Sequence, residues 1–314
     1  MKPEISVVIP TYRRETRLAF ALEALARQTI EPERFEVLVV RAAGENGPRT
    51  PAPDGLPVVF LESLEPGAAR QRNVGWREAR APLVAFTDDD CRPAPGWLAA
   101  ILGEAAPGVV LEGRTEPDPD ELHLFLGLAR SIEVRQLDPW HPSCNIAYPR
   151  SLLERLGGFD EDFEGDTAGE DTDLALRARH AGSRLAFVDQ ALVWHAVHPR
   201  ALPAALSGAR RRSTIPLVIA RHPEQRDALY GRLFLNRSHA ALALGLLGAA
   251  ALHRRPGLAA LSFVPYLAPH LLSGPIHPRG LARRLLHLPE RLSLDLAELL
   301  SAAVGSARHR RLVL

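Results

Sequence analysis

Three consecutive aspartates at the end of a short apolar run constrain the fold of this sequence more than any other feature. Residues 83–86 are apolar, with Pro82 before them and Asp88, Asp89 and Asp90 shortly after them, which predicts a buried strand that carries carboxylates at its carboxyl end. Ligands of open α/β sheets bind at that edge. Because neighbouring carboxylates repel one another, the cluster predicts a divalent cation such as Mg²⁺ or Mn²⁺, often held with substrate phosphates. The alternative is a solvated turn that caps the helix beginning near Pro95.

Strands and helices alternate along the first two thirds of the chain. Apolar runs predict strands at residues 5–10, 35–40, 58–61, 83–86, 109–112, 184–188 and 191–195. Helical spacing predicts helices at residues 16–26, 67–81 and 96–104, a helix-like stretch at 122–134, and a helix after Gly169 that ends at Gly182. This alternation predicts an α/β fold with a mostly parallel sheet that helices cover on both faces.

The 314 residues favour one full catalytic domain, residues 1–199, and an appendage, residues 200–314. The formal net charge of +1 indicates no partner of the nucleic-acid class, and we expect none. Cys91 and Cys144 form neither a disulfide framework nor a metal-knuckle spacing, which fits a reducing cytosol. The N-terminus enters a strand directly and carries no long apolar signal core, so we expect a cytoplasmic protein.

The C-terminal region is rich in Ala, Leu and Arg and is predicted to be helical. Residues 240–252 and 258–272 are strongly apolar, yet each is shorter than the about 20 residues that cross a bilayer. Two interpretations remain open. The helices either lie peripherally on the cytoplasmic face of a membrane, with Arg254, Arg255, Arg283 and Arg284 facing anionic lipids, or pack against the catalytic domain.

Five motifs in order resemble those of the family 2 glycosyltransferases. They are S-V-V-I-P-T-Y-R-R, G-A-A-R-Q-R-N-V-G, D-D-D, N-I-A-Y-P-R-S-L-L-E-R-L-G-G-F-D-E-D-F and G-E-D-T-D-L-A-L-R, and they cover residues 1 to about 198. The resemblance implies the GT-A fold, a Rossmann-like nucleotide-diphospho-sugar transferase fold. It also implies inverting transfer of a sugar from a nucleotide-diphosphate donor, with Mn²⁺ or Mg²⁺ as the cofactor.

The resemblance assigns the donor side of the site. Asp88 and Asp90 become the D-x-D pair, with Asp90 the more direct metal ligand and Asp88 or Asp89 nearer the ribose and diphosphate. A bound cation would stabilise the charge that gathers on the leaving diphosphate. The resemblance places three residues in the nucleotide-base pocket, Pro10, Thr11 and Tyr12.

Two arginines and two histidines have two interpretations each, one in the site and one structural. Arg70 and Arg72 could pair with ribose or phosphate oxygens through their guanidinium forks, or could be surface charges of an amphipathic helix. His195 matches the place where some relatives supply a ligand to the metal or the diphosphate, although a histidine at a strand end is more often structural. His198 is a weaker candidate for the same role.

In G-E-D-T-D-L the resemblance makes Asp171 the general base, with Glu170 beside it helping to bind the acceptor. An inverting displacement needs a carboxylate that removes the proton of the attacking hydroxyl. The alternative is helix capping by Asp171 or Thr172, and both roles can hold together.

The turn after the second predicted strand departs from the family pattern. Many members carry an acidic D-D-G-S-like turn there that recognises the nucleotide base, whereas this chain has Arg41, Ala42, Ala43 and Gly44. Either Glu45 substitutes or the donor nucleotide is held differently, so the sequence names neither the nucleotide nor the sugar.

We therefore expect a metal-dependent inverting glycosyltransferase that acts on a cell-envelope or polysaccharide glycan, or on a lipid-linked acceptor. A catalytically silent module of the same fold that binds nucleotide sugars or acts as a scaffold is the main alternative. A nucleotidyltransferase is disfavoured because no Gly-rich phosphate loop with a following Lys occurs near the N-terminus.

Overall fold

A computed structural model describes residues 2–44, 49–163, 168–272 and 278–314 of the chain. The contacts between residues divide the described chain into two units. The first unit contains the described residues up to 198 except 126–129 and Ala168. Those residues belong to the second unit, together with the described residues from 199 to 314.

The first unit is built on one sheet of eight strands. In chain order these are β1 (Ile5–Thr11), β2 (Phe35–Ala42), β3 (Val58–Ser63), β4 (Leu83–Thr87), β5 (Cys91–Pro93), β6 (Val109–Pro117), β7 (Asn145–Pro149) and β8 (Arg184–His195). Their order across the sheet is β3-β2-β1-β4-β7-β6-β8-β5. Strands β3, β2, β1 and β4 pair in parallel, as do β6 and β8, whereas β7 is antiparallel to both neighbours and β5 is antiparallel to β8.

Helices pack on both faces of this sheet. They are α1 (Glu15–Leu25), α2 (Ala68–Glu78), α3 (Trp97–Gly103), α4 (Arg150–Leu156) and α5 (Glu170–His180), with short 3₁₀ helices at Pro32–Arg34 and Pro119–Leu124. One hydrophobic cluster contains side chains of α1 and α3, and a second contains side chains of α2, α4 and α5. Val7 and Ile9 of β1 point into the first cluster and Val8 into the second, because side chains alternate across a strand.

Three of the strands predicted from apolar runs are fully buried, whereas β3, at the edge of the sheet, is partly exposed. All residues of β1, β2 and β4 are buried, as expected for strands covered on both faces. The predicted fold class, a mostly parallel α/β sheet flanked by helices and followed by further helices, is confirmed.

One prediction of local structure is wrong, and two segments predicted as strands belong to a single strand. Residues 122–134 form no continuous helix: the 3₁₀ helix ends at Leu124, and backbone hydrogen bonds pair Val134 with Thr115 of β6. A positive φ of 58° at Gly127 also breaks any helical path. Residues 184–188 and 191–195 are one strand, β8, in which a register shift opposite Gly113 and Thr115 accommodates the polar residues between the two apolar runs.

The second unit is helical. Its helices are α6 (Leu202–Ala209), α7 (Ile215–Arg221), α8 (Arg237–Ala251), α9 (Pro256–Leu261), α10 (Val264–Leu272) and α11 (Pro278–His309), with 3₁₀ helices at Arg210–Thr214 and Pro223–Ala228. The apolar stretch at residues 258–272 is thus split between α9 and α10. Within the described part of the chain, no helix combines the length and the apolar character needed to cross a membrane.

A buried polar network joins three helices of this unit. The carboxylate of Asp295, on α11, is fully buried and accepts hydrogen bonds from Ser238 of α8 and Tyr266 of α10. The fully buried ring of His239 lies 3.2 Å, from Nε2 to Oε2, from Glu298 on α11. These contacts connect α8 and α10 to α11, where the surrounding hydrophobic clusters are small.

Candidate active site

The three aspartates lie where the strand order of the sheet reverses. From β1 the chain passes to β2 and β3 on one side and returns to β4 on the other, so the carboxyl ends of β1 and β4 are neighbours. Such a reversal is the usual ligand site of an open α/β sheet. Thr11, at the end of β1, donates a hydrogen bond from Oγ1 to Oδ2 of Asp89 at 2.7 Å. The structure therefore brings together the two predicted site residues Thr11 and Asp89.

Asp90 lies beside two histidines from the end of β8. His195 Nε2 is 3.7 Å from Asp90 Oδ1, and His198 Nε2 is 2.9 Å from Asp90 Oδ2. The antiparallel pairing of β5 with β8, which sets Cys91 opposite His195, produces this approach. The three side chains present ligand atoms within 4.8 Å of one another, a spacing that one metal ion can bridge. Cys91 itself is buried and packs in the hydrophobic core.

The chemistry of these groups fits a divalent cation. Nδ1 of His195 lies 2.9 Å from the carbonyl oxygen of Ala196, so a proton on Nδ1 directs the lone pair of Nε2 toward Asp90. Asp90 Oδ1 is buried and has no hydrogen-bond partner within the described residues. Imidazole nitrogen and carboxylate oxygen both bind Mn²⁺, so Asp90, His195 and His198 would hold the predicted ion.

The sequence analysis missed Arg14, which contacts two of the aspartates. Its Nη1 lies 2.6 Å from Asp90 Oδ2 and 3.2 Å from Asp89 Oδ1. Burial opposes ionisation of Asp90, but the hydrogen bond from His198 and the positive charges of His195 and Arg14 hold its pKa well below the usual range. Burial and the charge of Asp90 instead raise the pKa of Asp89 to about 7. The T-Y-R-R motif after the first strand was the available signal for Arg14.

Arg72 connects the acid cluster to the start of α5. Its buried guanidinium donates from Nη2 to Asp88 Oδ1 at 2.8 Å and from Nη1 to Glu170 Oε1 at 3.3 Å. Burial disfavours the charged form, but Asp88 and Glu170 outweigh it and raise the pKa of Arg72. Asp88, predicted as a metal ligand, thus pairs with Arg72, whereas Arg70 forms its ion pairs with Glu65 and Glu161.

The predicted base, Asp171, lies in the first turn of α5. The helix begins at Glu170 after Gly169, whose φ is 119°, so neither Asp171 nor Thr172 is the N-cap residue. The Asp171 carboxylate accepts hydrogen bonds from the backbone N–H groups of Thr172, at 2.8 Å, and Ser143, at 3.4 Å. Burial first and the charge of Glu170 second raise the pKa of Asp171 to about 7, against the opposing charge of Arg72. A carboxyl with such a pKa can exchange a proton near neutral pH.

The predicted base pocket lies at the ends of β1 and β2. Pro10 and Thr11 pair in register with Val40 and Arg41, and the ring of Tyr12 is half exposed beyond them. The buried guanidinium of Arg41 forms two hydrogen bonds with the Glu15 carboxylate, at 3.1 and 3.2 Å. Glu45, the predicted substitute for the missing acid, lies outside the described residues.

The side-chain amide of Gln71 links the ends of these two strands. Its Nε2 donates to the backbone oxygens of Thr11 and Val40, at 2.7 and 2.8 Å. The guanidinium of Arg41 also lies 4.4 Å from the ring centroid of Phe60. The wall at the end of β2 therefore presents an arginine–glutamate pair, where many relatives of the resembled family present a free acid.

Comparisons with known proteins find similarities to glycosyltransferases. The profile described as "Glycosyl transferase family 2" matches residues 6–153. Validoxylamine A glucosyltransferase from Streptomyces hygroscopicus subsp. limoneus is 32% identical over 246 residues, a match that covers 65% of this chain and 54% of that protein. The chain thus spans about half the length of this curated relative.

Two solved structures share the fold. The mannosyltransferase PcManGT from Pyrobaculum calidifontis, in complex with GDP-Man and Mn²⁺, superposes with a TM-score of 0.56 at 20% identity, covering 99% of this chain and 88% of that chain. Residues 1–349 of TarS from S. aureus, in complex with UDP, superpose with a TM-score of 0.51 at 18% identity, covering 98% of this chain and 92% of that chain. The predicted GT-A fold is confirmed.

Proposed function

Because residues 6–153 of this chain match the profile of glycosyl transferase family 2, we propose that the protein transfers a sugar from a nucleotide-diphosphate donor to a hydroxyl group of an acceptor. One observation carries the proposal. The Asp90–His195–His198 group, which suits a divalent cation, and the Asp171 carboxyl, whose pKa is about 7, lie in the same unit. Arg72 forms ion pairs with a sequence neighbour of each group, Asp88 near Asp90 and Glu170 next to Asp171. Donor activation and acceptor deprotonation need these two groups.

The metal half of the site would serve the leaving group. Asp90, His195 and His198 would hold Mn²⁺ or Mg²⁺, which supplies positive charge to a diphosphate as its bond to the sugar breaks. PcManGT, which shares the fold, was solved with both GDP-Man and Mn²⁺. Arg14, half exposed and already paired with Asp89 and Asp90, adds a second positive charge on this side.

Asp171 would act on the acceptor. Its carboxylate removes the proton of the acceptor hydroxyl while that oxygen attacks the anomeric carbon from the face opposite the diphosphate. The C–O bond to the diphosphate breaks as the new glycosidic bond forms, so the configuration at the anomeric carbon inverts. Glu170, tied to Arg72, lies beside this base and would help to bind acceptor hydroxyls.

The donor nucleotide is a further proposal. Arg41 fills the place where many relatives present an acid, and its charge is neutralised by Glu15. An acidic side chain there would accept a hydrogen bond from N3 of uracil, whereas Arg41 is a donor only. We therefore expect this chain to discriminate less strongly in favour of UDP-sugars than a member with the acidic turn.

The acceptor and the place of action follow from the sequence analysis as proposals. We expect a cytoplasmic enzyme that acts on a glycan or lipid-linked acceptor of the cell envelope or a polysaccharide, and we expect no contact with nucleic acid.

A donor screen tests the reaction. Purified protein is incubated with GDP- and UDP-sugars and a panel of glycan acceptors, with and without Mn²⁺, and released nucleoside diphosphate and glycosylated product are both measured. We expect product that depends on Mn²⁺ and is lost in Asp90→Asn and Asp171→Asn. Asp189→Asn, which removes an exposed carboxylate on β8, is the matched control and should keep wild-type transfer.

Two outcomes would overturn the proposal. Folded Asp90→Asn and Asp171→Asn proteins that transfer sugar at the wild-type rate would refute the assigned roles. Calorimetric binding of a nucleotide sugar without hydrolysis or transfer to any acceptor would instead identify a silent binding module.

A further inference from the structure

The outer half of α8 is apolar where a surface helix normally carries polar residues. From Ala240 to Leu252 the sequence contains only Ala, Leu and Gly. Leu244 and Leu247 are 57% and 69% exposed, and Leu246, at 45%, continues the same surface. A helix exposed to water on one side usually places charged or polar side chains there. The composition of this face therefore differs from that of a helix face that contacts only water.

The inner half of α8 is identified by its contacts. A Cβ placed on Gly245 would lie 2.7 Å from the ring of Phe263, and one on Gly248 would lie 2.4 Å from Cβ of Ser262. The Ser262 hydroxyl also donates to the backbone oxygen of Gly245 at 2.9 Å. Close packing at these glycines holds α8 against the segment between α9 and α10.

Exposed apolar residues also occur on the two helices that follow α8. Leu258 and Leu261 of α9 and Val264 of α10 are exposed, at 46%, 61% and 49%. Isolated exposed leucines are common on soluble proteins, but six exposed aliphatic residues within 21 residues of three consecutive helices indicate an interaction site. We call these six residues, Leu244, Leu246, Leu247, Leu258, Leu261 and Val264, the apolar hairpin surface.

The charge of this region has one sign. No Asp or Glu occurs between Asp227 and Glu290, whereas seven arginines do. Arg237 lies at the first turn of α8, and Arg254 and Arg255 lie between α8 and α9, and all three are exposed. Positive charge therefore stands at both ends of the apolar face of α8. The side chain of Arg283, which the sequence analysis placed in the same group, lies outside the described residues.

We propose that the apolar hairpin surface binds the headgroup layer of a membrane that contains anionic lipids. The 15 residues of α8 extend about 22 Å at 1.5 Å per residue, less than the about 30 Å of a bilayer core. A helix lying in the membrane plane buries its leucines among acyl chains, while arginines at its ends contact lipid phosphates.

The composition favours lipid over a protein partner. Protein interfaces concentrate binding energy in Trp, Tyr and Arg anchors that are seated in pockets. The apolar hairpin surface carries only leucine and valine and contains no exposed aromatic side chain among its six residues. An aliphatic face with exposed arginines at its margin matches acyl chains beneath phosphate groups. The proposal does not depend on the reaction that the other unit catalyses.

Vesicle flotation of the full chain tests this proposal. Phosphatidylcholine vesicles are compared with phosphatidylcholine vesicles that contain phosphatidylglycerol, at low and high salt. We expect the wild type to float with the anionic vesicles and to be released in part by salt, because headgroup attraction is screened. Leu247→Glu should lower the floating fraction at least tenfold. Leu64→Glu, which introduces the same charge at a 92% exposed leucine of the first unit, should float like the wild type.

A second variant separates the electrostatic contribution to vesicle binding from the apolar one, and controls for misfolding accompany it. Arg254→Gln combined with Arg255→Gln leaves the apolar residues in place and should reduce binding to anionic vesicles severalfold, with a weaker salt dependence. Circular dichroism and the unfolding midpoint establish that each variant is folded. Wild-type protein that stays at the bottom of the gradient with anionic vesicles, or equal flotation of Leu247→Glu, would overturn the proposal. If the wild type does not bind vesicles but is a dimer by light scattering, and Leu247→Glu is a monomer, the surface binds a second copy of the chain instead.

Discussion

Replacing Asp171 with asparagine should abolish transfer and, at neutral pH, stabilise the protein. The two effects have one cause, because the environment that raises the pKa of this carboxyl makes its ionised form costly in the folded chain. A residue whose only task was to cap α5 would behave differently. Its replacement would cost stability at every pH at which the carboxylate is charged and would spare the chemistry.

The size of the stability effect follows from the pKa. A rise from the usual 3.8 to about 7 is about 3 pH units, or about 4 kcal/mol at 1.4 kcal/mol per unit. The Asp171 residue keeps some solvent exposure although protein atoms surround its carboxyl, so we expect about 2 to 4 kcal/mol. The unfolded chain ionises first, so the wild type loses stability relative to Asp171→Asn as the pH rises from about 4 to about 7.

Thermal unfolding of both proteins across this pH range measures the difference. At roughly 2–4 °C of midpoint per kcal/mol, the unfolding midpoint of Asp171→Asn should rise relative to the wild type by roughly 4–16 °C between about pH 4 and about pH 8. The transfer rate of Asp171→Asn should fall by roughly 10² to 10⁴, and that of the wild type should decline below about pH 7 as the base becomes protonated. A midpoint difference that stays constant with pH, or that changes in the opposite direction, would refute the raised pKa.

Three further perturbations test other parts of the site and the fold. Arg72→Lys can reach only one of the two carboxylates that the guanidinium now joins, so we expect transfer to fall about tenfold or more, whereas an unchanged kcat/KM would show that the fork is dispensable. His198→Gln should weaken Mn²⁺ binding by roughly 10- to 100-fold in calorimetric titrations, with His253→Gln, at an exposed site on the second unit, as the control. Gly158→Ala should lower the free energy of unfolding by about 3 kcal/mol or more, because φ is +78° at this position and the new Cβ would lie 2.3 Å from Nε1 of Trp76. An unaltered unfolding midpoint would contradict this packing.

The strands that build the donor side were predictable because burial on both faces leaves a plain signal. Apolar runs predicted the strands Ile5–Thr11 and Leu83–Thr87. Because parallel strands end at the same edge of a sheet, their carboxyl ends were expected to lie together. The prediction of residues 122–134 failed because apolar spacing alone does not show where the backbone finds its hydrogen bonds. Val134 pairs with Thr115 in place of a helical partner, and this long-range pairing has no local sequence signal.

The site residues divide in the same way. Asp90 and His195 could be named from motifs because Asp90 lies shortly after β4 and His195 is the last residue of β8, each in a recognisable pattern. The T-Y-R-R motif shows that Arg14 follows β1, but it does not show that the side chain reaches the aspartates, because that position depends on a turn at Arg13 with a φ of 54°. The sequence named His198 as a candidate ligand. Its approach to Asp90, however, requires the antiparallel pairing of β5 with β8, and these strands are far apart in the sequence.

The shared counter-ion Arg72 implies that the two substrates bind with thermodynamic linkage. One buried cation neutralises both Asp88, on the side proposed for the donor, and Glu170, on the side proposed for the acceptor. A ligand that competes for either carboxylate changes the electrostatic potential at the other, and binding free energies are coupled reciprocally. Donor and acceptor should therefore alter each other's dissociation constants by the same factor, and that factor should approach one when the arginine is replaced. Steady-state kinetics with both substrates varied would then show the order of addition depending on a residue that need touch neither of the reacting atoms.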